Sequence, residues 1–388
     1  MTVRFEIGRI ATVAGMATLA FLAAAGGPAR AESPGPGYWL YDRSAAAGFQ
    51  RGQFFAGFTL SGGVQHMPRF NGTQSVFSPF APFPASGAQS FSPDLTGVQP
   101  GGEFGFAFRD GTLPDVIGQR FRVALFGSYA HAETRDSKGI NPGPGGGASH
   151  VVRYFHVNGA FVSTGQTLPL ATSQLVETLH LIRESYQIGL KAESDFALGP
   201  NLSLTPGLAI YGGHTTDTYD HTSINTFNGV LNSTPTALNE RVRTNEIGGH
   251  VAMRVTWQFL PGWAMHVGGT AGVVSMRSRL DAQDCINGTF VAPGTPCGPS
   301  NGSFSAASAS DSRSAVGFRG TASVGLATDL RIAVVSIGGF MRYDSRIPGV
   351  ANPQLLGNFN TVPLAPARIR FDDGFAYGGF LQVRVPLF

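Results

Sequence analysis

The side chains of this 388-residue chain that could do chemistry are thinly spread. One local concentration is Asp217-Thr-Tyr-Asp220-His221, where an imidazole beside two carboxylates could activate water as a general base. His180 would need a serine beside it to form a nucleophile–base pair, and the sequence places none there. Cys285 and Cys297 are the only two cysteines and share a stretch without histidine. That is a poor metal site, and in an exported chain a simple disulfide. The remaining candidates are distributed: Arg120, Arg122, Lys191, Glu193, Asp195, Arg254, His266 and Arg319. On one common face they would form either a constriction that selects solutes or a salt-bridge network filling a narrow interior. None of these patterns asks for a metal or an organic cofactor, and none is expected.

What must position the distributed set is a repeated alternation. Ile247, Gly249, Val251, Met253, Val255, Trp257 and Phe259 are separated one by one by Glu246, Gly248, His250, Ala252, Arg254, Thr256 and Gln258. Successive side chains of an extended strand point to opposite faces, so one face here is apolar and the other carries charge. Similar rows recur at Phe104–Phe108, Phe121–Tyr129, Ile188–Ala192, Leu202–Ile210, Trp263–Val267 and Val316–Leu326. An apolar outside around a polar inside is what a transmembrane barrel requires. Composition agrees: 13% of residues are charged, against roughly 25% in soluble domains. A formal charge of +3 gives no reason to expect a nucleic-acid partner.

Ten strand cores are expected, near 51–65, 98–109, 119–132, 176–197, 202–215, 244–259, 263–277, 314–328, 331–344 and 371–388. Four short connections alternate with five long ones at 66–97, 133–175, 216–243, 278–313 and 345–370. This is the turn-and-loop asymmetry of outer-membrane barrels. The fold class is therefore all-β, a transmembrane antiparallel up-and-down barrel of about ten strands with long extracellular loops. Twelve strands is the alternative, because Asn158-Gly159 joins two short runs as a hairpin. The outward rows of that hairpin would carry Arg153 or His156, Ser163 and Thr167, so it is placed above the membrane, as are the segments around Asn228-Gly229 and Asn287-Gly288.

The first residues read as a secretory signal: Arg4 and Arg9, an apolar run from Ile10 to Ala25, then Ala29-Arg30-Ala31. The organisation expected is a signal peptide over 1–31 and a barrel over 32–388 that begins with a periplasmic segment at 32–48. The last strand, with Tyr377, Gly379, Leu381, Val383, Val385, Leu387 and a terminal Phe388, resembles the C-terminal signal of bacterial outer-membrane proteins. It departs from it in Pro386 and in the phase of Phe388. The resemblance implies residence in the bacterial outer membrane, contact with its lipid and lipopolysaccharide, and recognition by the barrel-assembly machinery through the strand ending in Phe388. It also brings in proteases of the omptin type, which use an Asp pair and an Asp–His pair at the rim. Asp217, Asp220 and His221 fall at the right end of the fifth strand, but the early strands offer Gln65-His66-Met67 and Gly101-Gly102-Glu103 instead of an Asp pair.

The function expected is a porin-like or structural barrel with a narrow polar lumen passing small solutes. A mild anion preference follows from Arg109, Arg120, Arg122, Lys191, Arg254 and Arg319 outnumbering Glu103, Glu193, Asp195 and Glu246. The alternative is an adhesin or binding protein meeting a surface ligand through its long, Phe-containing loops.

Overall fold

The structure is a computed structural model that describes residues 53–77, 90–108, 120–140, 150–168, 173–227, 230–231, 236–286, 288–290, 297–299, 305–330, 332–353 and 364–387. The segments expected to be signal peptide and periplasmic leader, together with Arg109 and Phe388, lie outside the described residues.

Ten long strands form one closed ring: β1 Gln53–His66, β2 Asp94–Ala107, β3 Arg120–Ile140, β4 Ser173–Gly199, β5 Leu202–Phe227, β6 Thr236–Leu260, β7 Trp263–Ile286, β8 Ser305–Asp329, β9 Val334–Ala351 and β10 Arg368–Leu387. Each is antiparallel to its neighbours, and β1 closes the ring on β10 from Phe54 opposite Leu387 to Gln65 opposite Ala376. Tight corners join β4 to β5, β6 to β7 and β8 to β9 at one end. At the β6–β7 corner Gly262 takes φ +80°, a left-handed conformation that glycine adopts without a steric penalty. The hairpin formed by His150–Phe155 and Phe161–Leu168 does not enter the ring. It pairs with Gln74–Phe77 in a separate three-stranded sheet, so the count is ten.

The outer band is built by the expected rows. Ile247, Val251, Met253 and Trp257 on β6, Leu208 and Ile210 on β5, and Val316 and Phe318 on β8 are all exposed. The strands do not stop where that band stops. β4 runs 27 residues and β5 26, several turns of pleat beyond their last outward apolar side chain. Above the band the faces exchange character without a change of parity. On β6 the outward residues become Asn245 and Arg243, both exposed, while the inward ones become Val242 and Leu238, at 0% and 1% exposure. Leu179 and Leu181 of β4, Tyr219 of β5 and Leu280 of β7 turn inward at the same level. With Met67, Phe70, Phe91, Val157, Ile347 and Ile369 they make one buried apolar cluster inside the extended mouth. The only hydrophobic core of the described residues that resembles a soluble protein's therefore sits in this upper region, which we call the dome.

Candidate functional site

Beneath the dome the interior is charged, and register explains which charges meet. Arg122 lies opposite Glu193 and Arg120 opposite Asp195 across the β3–β4 ladder. The Arg122 guanidinium reaches Asp195 at 2.9 Å and Glu193 at 3.4 Å, and Thr205 donates to the same Asp195 oxygen at 2.7 Å. Lys191 contacts Glu103 and stands 3.6 Å from Glu193, while Arg254 completes the group 4.0 Å from Glu193. The Arg120 side chain lies outside the described residues. His266 is buried against the ring of Phe380, at 6.1 Å between centroids.

Glycine makes one of these contacts possible across a whole strand. Gly57 of β1 is opposite Glu103 on one side and Arg384 on the other. A Cβ at position 57 would stand 2.6 Å from Glu103 Cγ. With no side chain there, Glu103 lies over β1 and accepts from Arg384 Nε at 2.5 Å.

A second charged layer lies higher. Arg319 of β8 donates to Asp344 at 2.5 Å, to both Glu246 oxygens at 3.1 and 3.2 Å, and to the Tyr211 hydroxyl at 3.1 Å. Arg342 meets the other Asp344 oxygen at 2.9 Å. Arg183 grips Asp217 with two bonds, at 2.7 and 2.9 Å, and donates to Met67 Sδ at 3.2 Å, which ties this layer to the dome above. A cavity of about 150 Å³ lined by Gln99, Ser128, Arg183, Glu246, Arg319 and Asp344 lies at the level of this second layer.

The sequence reading did not include Arg183, Arg342, Arg384, Asp217 or Asp344 in the interior set. The signal was present: Arg384 sits between the outward Val383 and Val385, and so must point inward. Seven cations now face six carboxylates among the described interior side chains. Arg183, Arg342 and Arg384 add three cations against the two carboxylates Asp217 and Asp344, so the described interior set carries one positive charge in excess.

The rim candidates do not converge. Asp217 is held by Arg183, Asp220 accepts from Asn239 at 2.5 Å on the opposite face, and His221 is buried between the rings of Phe70 and Phe91 with Glu177 3.5 Å away. His180 stands 3.7 Å from Glu133. A constellation that sequence spacing did not indicate lies elsewhere in the dome. His156 Nδ1 is 2.7 Å from Asp284 and its Nε2 2.8 Å from Ser305 Oγ. Cys285, which follows Asp284 in the chain, is buried, and the side chain of Cys297 lies outside the described residues.

The closed ring, the apolar outer band and the charged interior define a ten-stranded transmembrane β-barrel. No family model matches the chain, and no curated protein does. Among solved structures it is similar to the outer-membrane protease OmpT from Escherichia coli, at 8% identity over 87% of this chain and 97% of that one, TM-score 0.39. It is also similar to the transport unit of the autotransporter AIDA-I from Escherichia coli, at 10% identity, 95% and 97% coverage, TM-score 0.26. A third is the Pseudomonas putida toluene transporter TodX, at 7% identity, 91% and 95% coverage, TM-score 0.22. These three are a protease, a transport unit and a transporter.

Proposed function

We propose that this chain is a bacterial outer-membrane barrel with an occluded lumen, whose working surface is its dome and extracellular loops rather than an open pore. The observation that supports this most is the inversion inside the mouth: Phe70, Phe91, Leu179, Tyr219 and Leu238 fill with apolar side chains the region through which a hydrated solute would have to enter. Two layers of ion pairs below it support the same reading, because cations already neutralised by carboxylates present little net field to a passing anion. An exported signal, lipid and lipopolysaccharide around the outer band, and delivery to the assembly machinery through the C-terminal strand belong to this proposal. So does a disulfide between Cys285 and Cys297 that closes the loop between β7 and β8.

The experiment is planar-bilayer recording of the refolded protein beside a variant lacking 67–93, the connection that carries Phe70 and Phe91. The intact protein should be silent and the deletion variant should conduct in discrete steps. Steady single-channel conductance from the intact protein would restore the porin-like reading, in which a salt gradient should then reveal the mild anion preference.

A further inference from the structure

The dome holds five described histidine–carboxylate pairs: His66–Asp94, His131–Glu184, His156–Asp284, His180–Glu133 and His221–Glu177. Of these five, His156 is the one whose second ring nitrogen is recorded on a hydroxyl, Ser305 Oγ at 2.8 Å. Three separate elements supply the three groups. His156 comes from the hairpin between β3 and β4, Asp284 from the upper end of β7, and Ser305 from the start of β8.

Their burial is graded in the order that nucleophilic chemistry needs. The Asp284 side chain is fully buried, that of His156 is 10% exposed, and Ser305 is partly exposed at the mouth. Asp284 is also fixed in place. One oxygen accepts from His156 Nδ1 and from the Ala307 amide at 2.9 Å, and the other accepts from the Val157 amide at 2.5 Å. With the Nδ1 proton directed at a carboxylate that two backbone amides also hold in place, Nε2 faces the serine as an acceptor. A nucleophile in hydrogen-bond reach of a base that a third group orients is the arrangement of covalent acyl transfer on many unrelated folds. Ile286 lies directly across the ladder from Ser305 and is buried, giving the site one apolar wall.

The geometry points to a serine acyl-hydrolase site at Ser305–His156–Asp284, facing the outside of the cell and taking short-chain carboxylic esters. Ser305 Oγ bonds to the ester carbonyl carbon while its proton passes to His156 Nε2. The imidazolium returns that proton to the departing alkoxide oxygen, and the C–O bond breaks to release the alcohol. Water then adds to the acyl-serine with the same base, releasing the carboxylic acid and restoring Ser305. His156 and Ser305 touch the reacting atoms. Asp284 is a positioning residue.

The test uses the full refolded chain and a fluorophosphonate probe, whose phosphorus bonds to an activated serine oxygen as fluoride leaves. The expected result is a phosphonylated Ser305 located by peptide mass spectrometry, with p-nitrophenyl butyrate both protecting Ser305 and being hydrolysed. Ser305→Ala should remove both signals while the variant keeps its heat-modifiable migration on gels. His156→Gln should slow labelling by roughly 100-fold or more, the usual weight of a general base. Asp284→Asn should slow labelling while the hairpin stays protected from limited proteolysis, and Asp284→Glu should recover part of the labelling rate. Should His156→Gln or Asp284→Asn loosen the dome, the wild-type labelling and its protection by the ester decide the matter. A folded wild-type protein whose Ser305 stays unlabelled, or is labelled no faster than the exposed Ser308, overturns the proposal.

Discussion

Two halves of the same strand, β6, obey opposite rules. From Phe259 up to Ile247 its outward residues are apolar and its inward ones include Arg254, His250 and Glu246. From Asn245 upward the outward residues turn polar and the inward ones become Val242 and Leu238. Nothing in the backbone changes at that point, since the pairing with β5 and β7 runs through without a slip. What changes is the solvent. Against lipid an apolar side chain is stable outside and a charge must turn inward; against water the hydrophobic effect puts the apolar side chains back in the centre. Strand parity thus states which residues share a face, and the surroundings decide which face is the buried one.

The largest effect that separates the halves is expected from the dome core. Phe70 is 1% exposed and stacks on Tyr219 at 5.2 Å. Phe70→Ala should destabilise the dome by about 3–5 kcal/mol, the usual cost of emptying a buried aromatic site. Limited proteolysis should then cut the dome while the barrel keeps its heat-modifiable migration. Loss of the barrel itself would show that the halves fold as one unit.

A smaller effect is expected from one substitution made at two heights. Val251 is an outward residue of the band and Gln283 an outward, exposed residue of the dome. Val251→Arg should cost about 2–4 kcal/mol in urea unfolding from vesicles, as for a cation placed near the bilayer midplane. Gln283→Arg should stay within about 0.5 kcal/mol. Equal costs would place the edge of the bilayer elsewhere.

A further effect depends on pH. Glu240 lies on β6, seven residues beyond the last outward apolar residue Ile247, and is fully buried in the dome. Burial holds its carboxyl up at about 8; Asn352 pulls it down and Asp284 pushes it further up. The folded dome therefore keeps a proton that the open chain releases at the ordinary carboxylate value. The stability this gives is complete below that ordinary value and is lost as pH rises through about 8. Protection factors of the dome amides, taken against intrinsic exchange at each pH, should fall across that interval, and Glu240→Gln should flatten the fall. A response that survives the substitution would assign it to another group.

The ring was legible in the sequence because period-two alternation and short Gly, Pro, Asn and Asp corners report strands directly. Even the levels of Arg122 and Glu193 followed from counting residues up from neighbouring corners. The contact between Glu103 and Arg384 did not, because it spans the seam where the first strand meets the last and needs Gly57 between them. The dome core was missed for a different reason. The expected strands stopped at or soon after the edge of the apolar band, so residues such as Tyr219, Leu238 and Leu280 fell into what were read as loops. The grouping of His156, Asp284 and Ser305 joins residues 128 and 149 positions apart, with no local pattern to announce it.

The tip of the hairpin between β3 and β4 has a consequence for how the molecule is made. Gly159 accepts from the Leu364 amide at 3.0 Å, and Val157 accepts from that of Ala367 at 2.7 Å. A Cβ on Gly159, at φ +84°, would collide with the Leu364 oxygen. Residues 364 and 367 immediately precede β10, the strand that seals the ring. The seat of the tip, begun by Asp284 and Ser305, is therefore complete only when residues 364–367 have arrived, and a long-range partner of this kind forms late because its loop must first be closed. Its docking is a timestamp: protection of the Gly159 region during biogenesis would mark the moment at which the chain's two ends have met.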